Sequence, residues 1–421
     1  MKFLHSISAA IIQRGLALFR FFGLDLFKIW TESCIRRKLH AAMPADGRLR
    51  TDGIGLMLDI PFSMSLAQVG RDFIDKLSKT DIPFCVLDTN NPRTYQARLP
   101  FEEIERFQKL TRKPFDQRNV IQFTTSAPVA DNAFSMGMTP FWEFQSGMME
   151  VQPSFFDGFR HAVVFSRFCY DYFRKAAPKD VAIHWIRYPF PLERHVFDRA
   201  AVREKFGIPK QAFVAFYNFD LRSCFERKNP LALIEAFTRA FAKEPSTMLV
   251  MKISGEELLP SKKQSILDKA QALGILDRLR LVSGYLTRDD VFQLTACTDV
   301  YASLHRGEGL GLGMLEAMAV GVPVIATAYG GNMDFTQNET AFLVPFKMVK
   351  PETDFKTYAK VVEWPEPDVD VAAGHLRVLY DHPELGRSKA AAALAFIEDY
   401  YSLENFEKCV REVVRQWREP Q

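Results

Sequence analysis

The stretch HRGEGLGLGMLEAMAVGVPVIAT, residues 305–327, decides the fold of this chain. It follows a short apolar run, residues 299–304, that is typical of a buried strand. Alternate positions in its first half are glycines: Gly307, Gly309, Gly311 and Gly313. The residues that follow are strong helix formers. Glycine lets backbone N–H groups approach a ligand closely, and a helix N-terminus favours negative charge. The stretch therefore predicts a strand, an anion-binding turn and a helix.

Two carboxylates bracket this turn. Glu308 lies within it and Glu316 lies in the helix, with seven residues between them. An anion site gains nothing from added negative charge, so we expect both to accept hydrogen bonds from hydroxyls. Phosphate and hydroxyls bound at one turn indicate a nucleotide-sugar. A purely structural turn is the alternative. The dinucleotide fingerprint G-x-G-x-x-G is absent, since Leu312 and Met314 occupy its last positions.

The composition is that of a globular protein with two domains. The 421 residues are 48% hydrophobic and 25% charged, and this length allows two sizeable cores. The net charge of +3 gives no argument for nucleic acid as a partner. The six cysteines are scattered without a C-x-x-C pair, which favours reduced thiols in a cytoplasmic protein.

Residues 1–48 are predicted to form a helical N-terminal extension. Within residues 1–40, apolar residues recur at helical spacing among lysines and arginines, and no uncharged run reaches the roughly 20 residues needed to span a bilayer. A cleavable signal peptide is not expected. A basic, apolar helix can lie in a membrane interface, which predicts peripheral contact with the inner face of the cytoplasmic membrane. The alternative is a helix that packs on its own domain.

The rest of the chain alternates between strands and helices, which predicts an α/β fold of two doubly wound halves with parallel sheets. We divide it into a first half (49–195), a second half (196–395) and a last helical segment (396–421), with a hinge near residues 190–200. Strands are predicted in the first half at 53–58, 82–88, 119–123, 161–166 and 181–186. In the second half they are predicted at 212–219, 247–253, 278–285, 299–304, 323–327 and 341–346. A polar linker (351–367) and two helices are expected to follow.

A second group of candidate site residues lies at the end of the first strand of the second half, in FDLRSCFERKNPLALIEAF, residues 219–237. Arg227 and Lys228 come just before a helix that begins at Pro230, a favoured first-turn residue. Arg222 and Ser223 lie upstream. Adjacent cations that face an anion-binding turn would neutralise a diphosphate. A solvated surface pair is the alternative for these cations taken alone.

The chain resembles retaining glycosyltransferases of the two-Rossmann-domain GT-B fold, in the family often called family 4. Glu308 and Glu316 match the Glu-x7-Glu motif of that family. The run Arg-Lys-Asn-Pro at 227–230, preceded by Phe219 and Asp220, matches one of its branches. The resemblance covers roughly residues 50–415, and Ser166 and Pro189 look like landmarks of the first domain of this branch. It implies that residues 49–195 form a Rossmann-like acceptor domain, that residues 196–395 form a Rossmann-like nucleotide-sugar domain, and that residues 396–421 pack back on the acceptor domain.

The resemblance implies a role for each matched residue. Glu308 would hold hydroxyls of the donor sugar and Glu316 would bind the ribose. Lys228, with Arg227, would bind the diphosphate and stabilise it as it leaves. Further donor contacts are implied for the turn and the first domain: Gly309, Leu310, Gly311, Gly53 and Gly55. Many members place an arginine where this chain has Ser223, so which of Arg222, Ser223 and Arg227 touches phosphate stays open.

The resemblance also implies the substrates. The donor would be a nucleoside-diphosphate sugar, with GDP-mannose favoured by the branch, and the acceptor a saccharide or glycolipid of a cell-surface polysaccharide pathway. Trp142 and Glu143 are candidate acceptor contacts. No cofactor or metal is expected, and the motif Asp368-Val369-Asp370 is interpreted as a helix start. The alternatives are another two-Rossmann enzyme, such as an epimerase or phosphorylase, and a non-catalytic nucleotide-sugar-binding scaffold.

Overall fold

The computed structural model describes residues 26–61, 65–89, 99–123, 134–138, 156–192, 197–284, 286–350 and 363–418. Most of the predicted membrane segment and the candidate acceptor residues Trp142 and Glu143 lie outside the described residues. The described chain begins with helix α1 (Leu26–Ala42), whose Ile35 and Leu39 are buried against the first half. No helix in these ranges combines the length and the apolarity needed to cross a membrane.

The first half contains a six-stranded parallel sheet in the order β2-β1-β3-β4-β5-β6. Its short strands are largely buried, because helices cover both faces of a parallel sheet. Its elements are β1 (Ile54–Leu58), α2 (Ser65–Leu77), β2 (Phe84–Asp88), α3 (Phe101–Leu110), β3 (Asn119–Phe123), β4 (Ser135–Met138), β5 (His161–Val164), α4 (Arg167–Ala176) and β6 (Ala182–Trp185). The five predicted strands are confirmed. Strand β4 was not among them, because SMGM is short and carries little β propensity.

The second half contains another six-stranded parallel sheet, in the order β12-β11-β10-β7-β8-β9. All six predicted strands are confirmed. Its elements are α5 (Arg199–Lys205), β7 (Phe213–Asp220), α6 (Phe225–Lys228), α7 (Pro230–Phe241), β8 (Thr247–Ser254), α8 (Pro260–Ala272), β9 (Leu279–Val282), α9 (Arg288–Ala296), β10 (Val300–Ser303), α10 (Leu312–Ala319), β11 (Val324–Thr327) and β12 (Phe342–Val344).

The strand order of the second sheet positions the site. Counted from β7, it is 3-2-1-4-5-6, so the order reverses between the neighbours β7 and β10. Ligands of doubly wound sheets bind at such a switch point, outside the carboxyl ends of the strands. The segment after β7 carries Arg227 and Lys228, and the segment after β10 carries the glycine turn. The fold therefore brings both candidate groups to one crevice.

The end of the chain differs from the sequence-based prediction. Within the predicted linker, Trp364–Pro367 forms strand β14, which pairs antiparallel with β13 (Phe346–Val349). Three helices follow instead of two: α11 (Val369–Asp381), α12 (Pro383–Tyr400) and α13 (Leu403–Arg418). The break falls at His382 and Pro383, and Pro383 occupies the favoured first-turn position of α12, so this helix start was readable in the sequence and was missed. Asp368 caps α11 by accepting from Asp370 N, as the helix-start interpretation predicted.

Helix α13 lies against the first half of the chain, although it is last in sequence. Trp417 Nε1 donates to Ser135 Oγ over 2.6 Å, and the Phe406 ring lies 5.1 Å from that of Phe73. Lys76 Nζ, on α2, donates to the carbonyl oxygen of Tyr401 over 2.6 Å. The chain therefore crosses between its halves twice. The domain boundaries themselves stay predictions.

The donor-loop role of Gly53 and Gly55 stays a prediction, and their position in the sheet does not support it. Both lie at the amino end of β1, opposite the carboxyl edge at which ligands of parallel sheets bind. Their glycine identity has a packing reason, because a Cβ on Gly53 would lie 1.8 Å from Pro83 O and one on Gly55 2.5 Å from Phe115 Cζ. A glycine pattern shows where the backbone lies close to another group, and at Gly53 and Gly55 that group is part of the protein itself.

We predict that Gly55→Ala destabilises the fold by about 1–3 kcal/mol, because the new Cβ overpacks the site against the fully buried Phe115. The measurement is urea unfolding followed by circular dichroism. Gly374→Ala is the matched control, since a Cβ there meets nothing within 4 Å and α11 gains helix propensity. Equal stability of the two variants would contradict this packing role.

Candidate functional site

The segments after β7 and β10 are joined through their backbones. Arg306 N donates to Arg227 O over 2.7 Å, and Asn229 Nδ2 donates to Leu304 O over 3.0 Å. Asn229 adopts a left-handed conformation (φ 52°), which asparagine tolerates better than most residues. These bonds fix the Arg-Lys-Asn-Pro segment against the start of the glycine turn, so the predicted meeting of the two groups is a fixed feature of the backbone.

Lys228 and Glu308 form the central contact of the site. Lys228 Nζ lies 2.5 Å from Glu308 Oε1, and Arg227 Nη1 lies 3.5 Å from the same oxygen. Arg227 also donates to Gly307 O over 2.6 Å and to Ser223 O over 2.9 Å. The side chains of Glu308 and Lys228 are only 13% and 16% exposed, so the pair is held in a partly desolvated crevice. Two cations and one carboxylate leave a net positive charge here.

The charge state of Glu308 follows from these contacts. Burial alone would raise the pKa of Glu308, but Lys228, Arg227 and His305 outweigh it and lower the pKa from 4.5 to about 2. Glu308 is therefore ionised throughout the neutral range. His305 is fully buried beneath it, with Nε2 3.0 Å from Tyr329 O and Nδ1 3.0 Å from Ser303 Oγ. This histidine supports the turn from below.

The glycine turn runs close to a second glycine pair. Gly311 has φ 91° and precedes the first residue of α10, a conformation that favours glycine. Gly331 N donates to Glu308 O over 2.7 Å, and a Cβ on Gly331 would lie 1.9 Å from Gly309 O. The turn is therefore held in one shape, with the Leu310 side chain buried. Among the residues that the structure describes, the N–H of Leu310 donates to no protein acceptor.

Glu316 lies beside a different set of charges. Asn218, near the carboxyl end of β7, is one of the neighbours that lower the pKa of its carboxyl group. Burial raises the pKa of Glu316 from 4.5 to about 7; Arg288 opposes the rise and Asp72 adds to it. Arg288 Nη1 in turn lies 2.5 Å from Asp72 Oδ1, which belongs to α2 of the first half. Glu316 is thus placed where the two halves of the chain meet.

Sequence reasoning missed three charged residues of this site: Lys252, Arg288 and Asp72. Lys252 is the register partner of Asn218, and burial lowers its pKa, while Asp220, Glu256 and Glu316 counteract the decrease. A lysine near the end of the apolar run TMLVMKI was a sequence signal from which Lys252 could have been predicted as a site residue. Arg288 and Asp72 are 216 residues apart in the chain, and no local pattern joins them.

Not all of the other residues predicted to bind the nucleotide-sugar lie at the contact between Lys228 and Glu308. Arg222 forms a bidentate pair with Asp220, at 2.9 Å from Nε and 2.5 Å from Nη2. Ser223 accepts from Arg227 through its carbonyl oxygen. Of the three residues left open for phosphate, Arg227 is the one that lies against the glycine turn. Within the described ranges no group of three or more His, Cys, Asp or Glu could hold a metal ion, and the metal-independence of the reaction stays a prediction.

The family of glycosyl transferases group 1 matches residues 198–354, which include Arg227, Lys228, Glu308 and Glu316. A D-inositol 3-phosphate glycosyltransferase from Mycobacteroides abscessus is 32% identical over 152 residues, which are 35% of this chain and 32% of that protein. A GDP-mannose-dependent monoacylated alpha-(1-6)-phosphatidylinositol monomannoside mannosyltransferase from Corynebacterium glutamicum is 30% identical over 214 residues, 49% of this chain and 48% of that protein. The matches thus span about half or less of these curated relatives.

Solved structures resemble the chain over most of its length. HepE from Anabaena, in complex with UDP and glucose, gives a TM-score of 0.60 at 15% identity, covering 86% of this chain and 99% of that one. Sucrose-phosphate synthase from Thermosynechococcus elongatus gives a TM-score of 0.57 at 16% identity, covering 87% and 98%. At such identities the likeness concerns the fold. The predicted α/β fold with two Rossmann-like domains, the GT-B arrangement, is confirmed.

We predict that Glu316→Gln changes how stability depends on pH. Because the pKa of Glu316 is raised from 4.5 to about 7, the native state keeps a proton that the unfolded state has released, and wild-type stability falls as pH rises between these values. The variant loses this fall, which is on the order of 1–3 kcal/mol. Urea unfolding at pH 5 and pH 8 measures it, with Glu404→Gln, on the exposed start of α13, as control. Identical pH slopes in all three proteins would contradict the shift.

Proposed function

We propose that this chain, in which residues 198–354 form a glycosyl transferases group 1 domain, transfers a sugar from a nucleoside-diphosphate sugar to a saccharide or glycolipid acceptor. One observation carries the proposal. Lys228 and Arg227 converge on Glu308 at the mouth of a glycine turn, at the switch point of a doubly wound sheet. Cations, backbone amides and a carboxylate acceptor at one crevice are what a pyrophosphate-linked sugar requires.

The geometry supports a definite division of roles. Glycosyl transfer builds positive charge on the sugar ring and negative charge on the departing diphosphate. Lys228, together with Arg227, stabilises the negative charge of the departing diphosphate. Cations and amides that are already oriented toward a developing charge usually make the largest single contribution to catalysis. The turn at Gly309, Leu310 and Gly311 supplies the amides.

The two carboxylates hold hydroxyls in this proposal. Glu308 stays ionised and accepts from hydroxyls of the donor sugar once the diphosphate competes for Lys228. Glu316, beside Asn218 near the carboxyl end of β7, accepts from the ribose. The reaction proceeds without a metal, since the cations already neutralise the diphosphate, and with retention of configuration, as the resemblance implies.

GDP-mannose is the donor that we favour. The Corynebacterium glutamicum relative is named as GDP-mannose-dependent and matches 214 residues of this chain. HepE, which shares the fold, was solved with UDP-glucose, so uracil is the competing base. A relative from Salmonella typhi, 33% identical over 118 residues, is named as a Vi polysaccharide biosynthesis protein, which supports a role in cell-surface polysaccharide synthesis. Trp142 and Glu143 remain the proposed acceptor contacts.

A panel of nucleotide-sugars tests the function. The protein is incubated with GDP-mannose, UDP-glucose and ADP-glucose, with and without oligosaccharide or glycolipid acceptors, and released nucleoside diphosphate is measured. Acceptor-stimulated release with inorganic phosphate absent supports a glycosyltransferase. Release that requires phosphate indicates a phosphorylase, conversion of the sugar without transfer indicates an epimerase, and binding without turnover across the panel indicates a scaffold.

We predict that Lys228→Ala lowers turnover about 10²–10³-fold, the range found when one transition-state charge partner is removed, and weakens donor binding less. The reason is that the ammonium pairs best with the fully charged leaving diphosphate. Steady-state kinetics and calorimetry separate the two effects. Lys269→Ala, which removes a lysine paired with Glu235 at 3.3 Å outside this cluster, is the control. Normal turnover with weakened donor binding would make Lys228 a ground-state binder.

Peripheral membrane contact is the second part of the proposal. On α1, Arg36 and Arg37 are exposed, whereas Lys38 Nζ donates to Thr89 O over 2.7 Å, and Trp30 is 49% exposed. We expect the basic side to attract anionic lipid, at about 1 kcal/mol for each basic residue near the surface.

Charge reversal tests this contact without disturbing the buried side of α1. Wild type is expected to co-sediment with phosphatidylglycerol vesicles more strongly than with phosphatidylcholine vesicles, and the double variant Arg36→Glu, Arg37→Glu to lose that difference. Equal sedimentation of both proteins with anionic vesicles would show that the basic side of α1 does not contribute to membrane binding.

A further inference from the structure

Ser166 is a residue of the first half that reaches the glycine turn of the second half. Its Oγ donates to Gly309 O over 2.6 Å, and Cys169 Sγ lies 3.0 Å from the same carbonyl oxygen. Both residues are fully buried. Burial raises the pKa of the Cys169 thiol, so it stays protonated and able to donate. One carbonyl of the turn thus has two donors from the opposite domain.

The neighbouring contacts make this a tight joint between the halves. Ser166 begins helix α4, and its Oγ also accepts from Cys169 N over 3.3 Å. The next residue, Arg167, donates its backbone N–H to Asp334 Oδ2 over 2.8 Å. A Cβ on Gly331 would lie 2.8 Å from Ser166 Oγ, so the hydroxyl has little room to move. The position of Ser166 relative to the turn is therefore closely defined.

Two successive carbonyls of the turn are fixed, each by a different domain. Gly331, in the second half, holds Glu308 O, and Ser166, in the first half, holds Gly309 O. A trans peptide unit is planar, with its N–H pointing opposite to its C=O. Fixing Gly309 O therefore fixes the N–H of Leu310. The direction of the Gly309 amide depends on the second half alone, whereas that of the Leu310 amide depends on both halves being together.

We propose that Ser166, assisted by Cys169, is a positioning residue that aims the Leu310 N–H at the donor diphosphate only when the two domains are closed. This inference rests on the proposed function, because the diphosphate is the group that the amide serves. Ser166 itself touches no substrate in this account. It couples closure of the cleft to completion of the phosphate site, so an open enzyme binds the nucleoside but grips its diphosphate less firmly.

The coupling explains why a hydroxyl from one domain is buried against a backbone carbonyl of the other. A capping serine needs only its lone pairs for the helix, and its proton remains available. Here that proton reaches Gly309 O directly over 2.6 Å, or goes to Cys169 Sγ, also at 2.6 Å, while the Cys169 thiol donates to Gly309 O; in both arrangements the first half supplies the donor to the turn. If Ser166 only capped α4, its substitution would lower the stability of that helix. It would not weaken the binding of ligands with phosphates more than the binding of ligands without them.

Ser166→Ala tests the proposal in the full chain by calorimetric titration with two ligands, the nucleoside diphosphate of the preferred donor and the corresponding nucleoside. We expect the variant to bind the nucleoside diphosphate roughly 3- to 10-fold more weakly, the loss typical of one hydrogen bond, and to bind the nucleoside as wild type does. With the donor, turnover should fall more than KM rises. Asp198→Ala, which removes the cap of α5, is the control for a lost helix cap.

The possible results are separable. An equal loss for nucleoside and nucleoside diphosphate, or a variant that matches wild type with both, would overturn the positioning role while leaving the proposed function intact. A wild type that binds none of the nucleoside diphosphates would instead overturn the proposed function. If Ser166→Ala is too unstable to titrate, Ser166→Gly, which costs a cap less, takes its place. Cys169→Ala is expected to show the same diphosphate-specific loss to a smaller degree.

Discussion

The ion pair between Lys228 and Glu308 is the contact on which the rest of the site depends. It joins the segments that follow β7 and β10, the two strands between which the order of the second sheet reverses. Breaking a partly buried pair by removing one partner is costly, because the remaining charge loses its compensation. A donor diphosphate avoids that cost by offering the lysine a new anion while sugar hydroxyls satisfy the glutamate. The ion pair therefore keeps both side chains in place when no donor is bound, and on donor binding each side chain exchanges the other for a group of the donor.

The second organising feature is that Glu308 in the turn and Glu316 in α10 both lie close to contacts made by the opposite domain. Glu316 lies in the field of Arg288, which pairs with Asp72 of the first half, and the turn that carries Glu308 is held by Ser166. The pKa values of the two glutamates shift in opposite directions. At Glu308 burial is outweighed by Lys228 and Arg227, and the pKa falls, whereas at Glu316 burial is the larger effect, and the pKa rises. Closing or opening the cleft would change both environments together.

The sequence allowed prediction of those parts of the structure that are local or periodic. Every strand of the second six-stranded sheet was predicted, because short apolar runs between helices have few alternative interpretations. The glycine turn and the Arg-Lys pair were placed at one crevice by the rule for carboxyl ends of strands. The packing of Gly53 and Gly55 against Pro83 and Phe115 was not foreseen, because a glycine pattern does not say whether the close neighbour is protein or ligand. Lys252 was overlooked inside an apolar run. The Asp72–Arg288 and Ser166–Gly309 contacts join residues 216 and 143 positions apart, and no single-sequence pattern reveals such pairs.

The central claim is that the glycine turn and Lys228 together grip a pyrophosphate. A crystal structure of the protein with the nucleoside diphosphate of its preferred donor tests this most directly, through the distances from the phosphate oxygens to Lys228 Nζ and to the backbone nitrogen of Leu310. The account predicts that both distances fall within hydrogen-bonding range, below roughly 3.2 Å, with Glu316 against the ribose. A diphosphate bound elsewhere, with Lys228 still paired to Glu308 alone, would contradict it.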